Sequence, residues 1–103
     1  MSRVRIPSLA PILLSWHLVE VSVYALKFES GEIYVGITKN LPRRLAEHRR
    51  RQSPSTKRFL GEFTLLHSEP FLSYATARSR EVYLKSGAGR AWLKSGASRR
   101  ETP

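Results

Sequence analysis

The stretch "VEVSVYALKFESGEIYVGITK", residues 19–39, decides the fold. Val19 to Phe28 alternates in the manner of a strand, and Ile33 to Lys39 does so again. The spacer Glu29-Ser30-Gly31 fits a three-residue hairpin loop, a type I turn closed by Gly31 in the left-handed conformation. That loop length fixes the register, with Phe28 opposite Glu32, Leu26 opposite Tyr34 and Tyr24 opposite Gly36. Tyr24 and Tyr34 then share one face as diagonal neighbours. Val21, Val23, Ile33, Val35 and Ile37 share the other, the more uniformly buried one.

Beyond the hairpin, Asn40 is a helix cap and Pro42 falls in the first turn. Leu41, Arg44, Leu45 and His48 follow the i, i+3, i+4, i+7 rule and form one stripe, with Arg43 and Glu47 free to pair beside it. A polar loop follows the basic run Arg49 to Arg51. A third strand is expected over Glu62 to Ser68. Ser73 caps a second helix that ends near Ser86, with Gly87 as its left-handed stop. Tyr74, Ala77, Glu81 and Leu84 share one side of that helix, and a short helix follows around Arg90 to Lys94. "LKSGAGR" at 84–90 recurs as "LKSGASR" at 93–99, which reads as two helix ends stopped by similar glycine chemistry. The expected fold is α+β: a small, mainly antiparallel three-stranded sheet packed with two main helices and a short C-terminal one. Residues 1–19 are expected to be a loosely structured extension, 20–94 the domain, and 95–103 a frayed tail.

The chain has 103 residues, and 18 Lys and Arg stand against 8 Asp and Glu, for a net charge of +10. Its length suits one domain with a modest core. Its charge attracts polyanions, nucleic acid first among them, because cations displace counterions from phosphates. No basic amphipathic helix or long apolar run points to a membrane. In residues 1–20 an apolar patch behind Arg3 and Arg5 is broken by Pro7 and Pro11, unlike a secretory signal. With no cysteine there is no disulfide, thiolate metal site or cysteine nucleophile, which suits the cytoplasm. No Walker loop, zinc cluster or nucleophilic triad is present, and no small-molecule cofactor is expected. His17 and His67 have no partner at metal-binding spacing and read as ordinary surface or strand residues.

Tyr24, Tyr34, Arg44, His48 and Glu81 are polar groups where simple patterning expects core. Each has an ordinary role open to it: strand tyrosines pack, a stripe-edge arginine reaches water along its methylenes, and Glu81 can pair with Arg78 or Lys85. Together they match what a metal-dependent phosphodiesterase needs: a carboxylate for a cation, a cation for the phosphate, and a group that activates or positions water.

"SVY" at 22–24 with "YVG" at 34–36 resembles the paired signature of the GIY-YIG nuclease superfamily. Ser22 and Val23 replace Gly and Ile, and Val35 replaces Ile. The resemblance runs on through "NLPRRLAEH", the polar loop ending in Thr56-Lys57, and "REVYLKSGAGRAWL", over roughly residues 20 to 94. It is nearest to small stand-alone bacterial members, which are similar to the N-terminal nuclease module of the excinuclease C subunit. The resemblance implies DNA cleavage with one Mg²⁺ or Mn²⁺ held by Glu81. It further implies water activation or orientation by Tyr34 with Tyr24 hydrogen-bonded nearby, Arg44 at the scissile phosphate, and His48 as a base or orienting partner. Gly36, Lys39, Arg49, Arg50, Arg51, Lys57 and Arg58 are the expected nucleic-acid contacts, Gly36 by letting a phosphate or Tyr24 approach the strand. DNA is the expected partner, with RNA open. A non-catalytic nucleic-acid-binding module using the same basic face is the alternative.

Overall fold

The structure, a computed structural model, describes residues 20–59 and 61–96; the expected extension, His17, and the tail from residue 97 lie outside these. The chain runs β1 (Val21–Phe28), β2 (Ile33–Thr38), α1 (Leu41–Arg49), β3 (Phe63–Phe71), α2 (Tyr74–Lys85) and α3 (Gly87–Lys94). The strands form one antiparallel sheet in the order β2-β1-β3, and with the three helices this is an α+β fold.

The hairpin follows from its loop. Gly31 has φ +101 and its N–H donates to the Phe28 carbonyl at 2.8 Å. Tyr24 therefore faces Gly36 and Leu26 faces Tyr34. As the central strand, β1 buries both faces. On one side Val21, Val23 and Ala25 join Ile33 and Val35 of β2, Ala77 and Leu84 of α2, and Leu93 of α3. On the other, Tyr24, Leu26 and Phe28 pack with Tyr34, Leu41 and Leu45 of α1, Phe59 and Phe63. Each fully buried leucine contributes about 1.5–3 kcal/mol. α1 and the α2–α3 pair thus cover opposite faces of the sheet.

α1 starts where expected: the Asn40 side chain accepts from the Arg43 N–H at 3.1 Å. Glu47 pairs chiefly with Arg44, at 2.8 Å, and only at 4.0 Å with Arg43.

The third strand runs further than its pattern suggests, to Phe71. Its register on β1 shifts where Ala25 faces His67 and Leu26 faces Leu65, a bulge that breaks the alternation around Leu66. Pro70 is tolerated because β3 is an edge strand.

The α2–α3 corner corrects the expected stop. Gly87 does not adopt the left-handed conformation; it opens α3, which starts ahead of the expected Arg90. Ser86 ends one helix and caps the next: its hydroxyl donates to the Tyr83 carbonyl at 2.6 Å and accepts from the Gly89 N–H at 3.2 Å. The repeated "SGA" segments therefore differ, the first starting a helix and the second, at Gly96 with φ +81, stopping one. Gly89 is needed because a Cβ there would overlap the Tyr83 carbonyl oxygen and the Leu84 backbone.

Gly89→Ala should accordingly lower stability by about 1–3 kcal/mol, as overpacking against backbone does. Gly87→Ala, with nothing within 4 Å of the added atom, should be neutral or mildly stabilising. Urea denaturation midpoints of the two variants check the contrast.

Candidate active site

Four of the five expected catalytic residues meet on the α1 side of the sheet. Tyr24 projects from β1 and is fully buried. Gly36 opposite it leaves the room: a Cβ there would lie 2.8 Å from the Tyr24 hydroxyl and 2.8 Å from the Tyr34 ring. The two rings stand 6.0 Å apart, and the His48 ring lies 5.7 Å from Tyr24 and 5.3 Å from Tyr34. The Tyr24 hydroxyl and His48 Nε2 are 2.8 Å apart, and His48 Nδ1 is 2.8 Å from Thr56 Oγ1. Arg44 donates from Nε to the Tyr24 hydroxyl at 3.3 Å, from Nη1 to Glu47 at 2.8 Å and from Nη2 to Ser53 Oγ at 3.2 Å.

Electrostatics follow from this packing. Burial raises the Tyr24 pKa well above its ordinary value, only partly opposed by Arg44. Burial and the Arg44 charge push His48 down to about 4, against a weaker pull from Glu47. His48 is only 3% exposed, so any influence it has on a substrate passes through its neighbours. The Glu47 hydrogen bond holds Arg44 firmly protonated and in return keeps the Glu47 carboxyl below its ordinary range. Tyr34 and Arg44 are the members with partial access to solvent.

Glu81 stands apart. It lies on α2 with Ala77 and Leu84, on the helix that packs against the other face, whereas Tyr74, expected on that side, is 60% exposed. Glu81 is 7% exposed, and its carboxylate takes Arg78 Nη1 at 2.6 Å and Lys85 Nζ at 2.9 Å. Burial alone would raise its pKa, but the Lys85 and Arg78 hydrogen bonds outweigh it and hold the carboxyl below its ordinary range. Both of these partners come from α2 itself rather than from the four-residue cluster. Nor do the described residues include a group of three or more His, Asp or Glu side chains able to hold a metal ion.

The expected nucleic-acid contacts divide. Lys39, Arg50 and Lys57 are exposed, and Arg49 is exposed with its guanidinium 5.5 Å from the Phe63 ring centre. Arg58 lies over Phe59 at 4.9 Å. Arg51, exposed as well, is also bonded within the chain. At φ +59 it turns the chain out of α1, and its guanidinium donates to the carbonyls of Lys57, Phe59 and Gly61, fastening the loop. Gly36 is buried beneath the tyrosine rings, so of its two expected uses the structure realises the close approach of Tyr24. His67 is a strand residue, as expected, edge-on to Trp92 and 3.3 Å from Glu69.

Sequence reasoning gave no site role to Ser53 or Thr56, both buried and bonded to Arg44 and His48 respectively. Small hydroxyl residues in a polar loop carry no signal that separates them from a solvated turn.

His48 titrates near 6.5 when unfolded and near 4 when folded, so the unfolded chain takes up its proton first as pH falls. The stability that neutral His48 brings is complete above about 6.5 and is lost between about 6.5 and 4, a decrease of at most about 3 kcal/mol. Urea denaturation from pH 7 to 4 should give a flatter profile for His48→Gln than for the wild type; parallel profiles would contradict this origin.

Comparison with known proteins bears on the family. The sequence profile of the GIY-YIG catalytic domain matches residues 20–93. The chain is 38% identical over 64 residues to the UPF0213 protein in the VLF1-GP41 intergenic region of Autographa californica nuclear polyhedrosis virus, covering 61% of this chain and 62% of that one. It is 33% identical over 63 residues to a UPF0213 protein of Cronobacter sakazakii, covering 61% and 66% of the two chains. A Yersinia pestis UPF0213 protein is 41% identical over 51 residues, covering 50% and 48%. The chain thus spans about half to two thirds of the length of these curated relatives. The solution NMR structure of a UPF0213 protein from Bacillus halodurans is similar at 27% identity and a TM-score of 0.49, covering 77% of this chain and 86% of that one. With a profile match across most of its length, the chain belongs to the GIY-YIG family of nuclease domains.

Proposed function

We propose that this chain is a metal-dependent DNA endonuclease that hydrolyses phosphodiester bonds with structure-directed or weak sequence preference, residues 20–94 forming the working domain. The observation that carries the reading is the buried Tyr24–His48 pair, bonded to a partly exposed Arg44 and lying beside a partly exposed Tyr34, on a chain with exposed cations at Lys39, Arg50 and Lys57. Tyr34 orients or activates the attacking water. Arg44 retains N–H groups beyond its three bonds and balances charge developing on the phosphate. Tyr24 and His48 hold both in place.

A divalent cation fits the donor set in one form only. Glu81 is ionised and sheltered, its present partners are exposed side chains free to swing away, and Mg²⁺ or Mn²⁺ accepts one carboxylate with the remaining positions left to water and phosphate. Bound there, such an ion would supply Lewis-acid stabilisation of the leaving oxygen.

A non-catalytic nucleic-acid-binding module is the second reading, favoured by the double ion pair that already neutralises Glu81. Supercoiled plasmid with Mg²⁺ or Mn²⁺ separates the two. The wild type should nick it, and Glu81→Gln and Tyr34→Phe should each be slower by roughly 100-fold or more. Equal nicking by the Glu81 variant refutes the metal role, and salt-sensitive binding without nicking under either metal selects the binding module. Substituting RNA for DNA tests the partner.

Removing Lys57 or Arg49 should weaken binding across all sequences and make the slope of log affinity against log salt shallower by about 0.9 for each phosphate no longer neutralised. Fluorescence anisotropy at several salt concentrations measures this. Arg51→Ala should instead lower stability with little change in that slope.

A further inference from the structure

We infer that Thr56 is a positioning residue of this site, its hydroxyl fixing His48 in the tautomer that carries hydrogen on Nδ1 and accepts the Tyr24 hydroxyl at Nε2. The catalytic meaning of this rests on the endonuclease reading; its chemistry does not. The Tyr24 hydroxyl, His48 ring and Thr56 hydroxyl form a buried series with two links of 2.8 Å. The imidazole can hold its hydrogen at either end. Bond strengths choose between the two arrangements. A phenol is a far stronger acid than an aliphatic alcohol, so it is the better donor to the basic ring nitrogen. An alcohol oxygen, whose lone pairs are not drawn into a ring, is the better acceptor for the imidazole N–H. Arg44, donating to the Tyr24 oxygen at 3.3 Å, strengthens that phenol further as a donor. All three favour Tyr24 O–H to Nε2 and Nδ1–H to Thr56.

The same turn serves Arg44. Thr56 N–H and Lys57 N–H both donate to the Ser53 carbonyl, at 3.2 and 2.9 Å, so one turn presents the Ser53 hydroxyl to Arg44 and the Thr56 hydroxyl to His48. Arg51, bonded to the carbonyls of Lys57, Phe59 and Gly61, holds that turn against the end of α1. Exposed Lys57 follows Thr56 directly. A loop proposed to meet nucleic acid on its outer side thus sets, on its inner side, the hydrogen positions around Tyr24.

Long-range ¹H–¹⁵N spectra of the His48 ring in the full chain at neutral pH test this without substrate. The wild type should show Nδ1 protonated and Nε2 bare; the reverse overturns the inference. Thr56→Val, which keeps the shape and removes the acceptor, should admix the Nε2–H form, while Thr56→Ser should keep the wild-type pattern. An unchanged tautomer in the valine variant, or a serine variant that behaves like valine, overturns it. Should the valine variant fail to fold, the wild-type and serine spectra still decide. In the nicking assay Thr56→Val should lower kcat roughly tenfold, as expected when one supporting hydrogen bond is removed, at unchanged KM. A change confined to KM would place Thr56 in substrate binding and overturn positioning. If no form of the chain nicks, the endonuclease reading fails while the tautomer measurement stands on its own.

Discussion

The hydrogen bond between the Tyr24 hydroxyl and His48 Nε2 is the constraint on which one whole face of this domain depends. Together with the Arg44 bond to the same hydroxyl, it ties the central strand to α1 across a layer made mostly of hydrocarbon and aromatic ring. In such a low-dielectric setting an unpaired phenol would be costly, and a paired one fixes geometry. The cost is avoided because each ring nitrogen and hydroxyl along this series finds a partner: Arg44 on one side of Tyr24, Thr56 on the far side of His48. The hydrocarbon around them, Leu26, Phe28, Leu41, Leu45 and Phe63, supplies the driving force for packing, and the polar series selects one arrangement of it.

The opposite face works by different means. Val21, Val23, Ala25, Ile33 and Val35 meet Ala77, Leu84 and Leu93 in an apolar layer. Glu81 is the exception, a sheltered carboxylate on the same stripe as Ala77 and Leu84, kept ionised by two cations from its own helix. Arg80, next to it in sequence, points elsewhere. It bonds Glu69 of β3 at 2.9 Å and lies within 5.3 Å of the Tyr83 ring and 5.1 Å of the Trp92 ring, joining α2 to α3 and to the sheet edge. Those interactions fix the rotation of α2 about its axis, and with it the inward aim of Glu81.

Much of this fold is legible in the chain because local rules and the final structure agree. A three-residue loop ending in a left-handed glycine allows one register, and that register assigns every side chain of β1 and β2 to a face. Asn40 and Ser73 cap their helices by the same local logic. The failures lie where tertiary packing decides. The bulge at Leu66 belongs to the pairing of β3 with β1, and Gly87 continues into a helix where Gly89 lets α3 sit on the backbone of α2. Within the site, the stripe carrying Arg44 and His48 is readable from periodicity, and so is the pairing of Glu81 with Arg78 and Lys85. The duties of Ser53, Thr56 and Arg51 are not, since each depends on where a loop with no period of its own comes to rest.

Ser86 has a broader mechanical meaning. Because one side chain serves as the end of α2 and the beginning of α3, there is no slack between the two rods. A displacement of one should therefore be handed to the other like the two arms of a bracket, with Glu81 carried along.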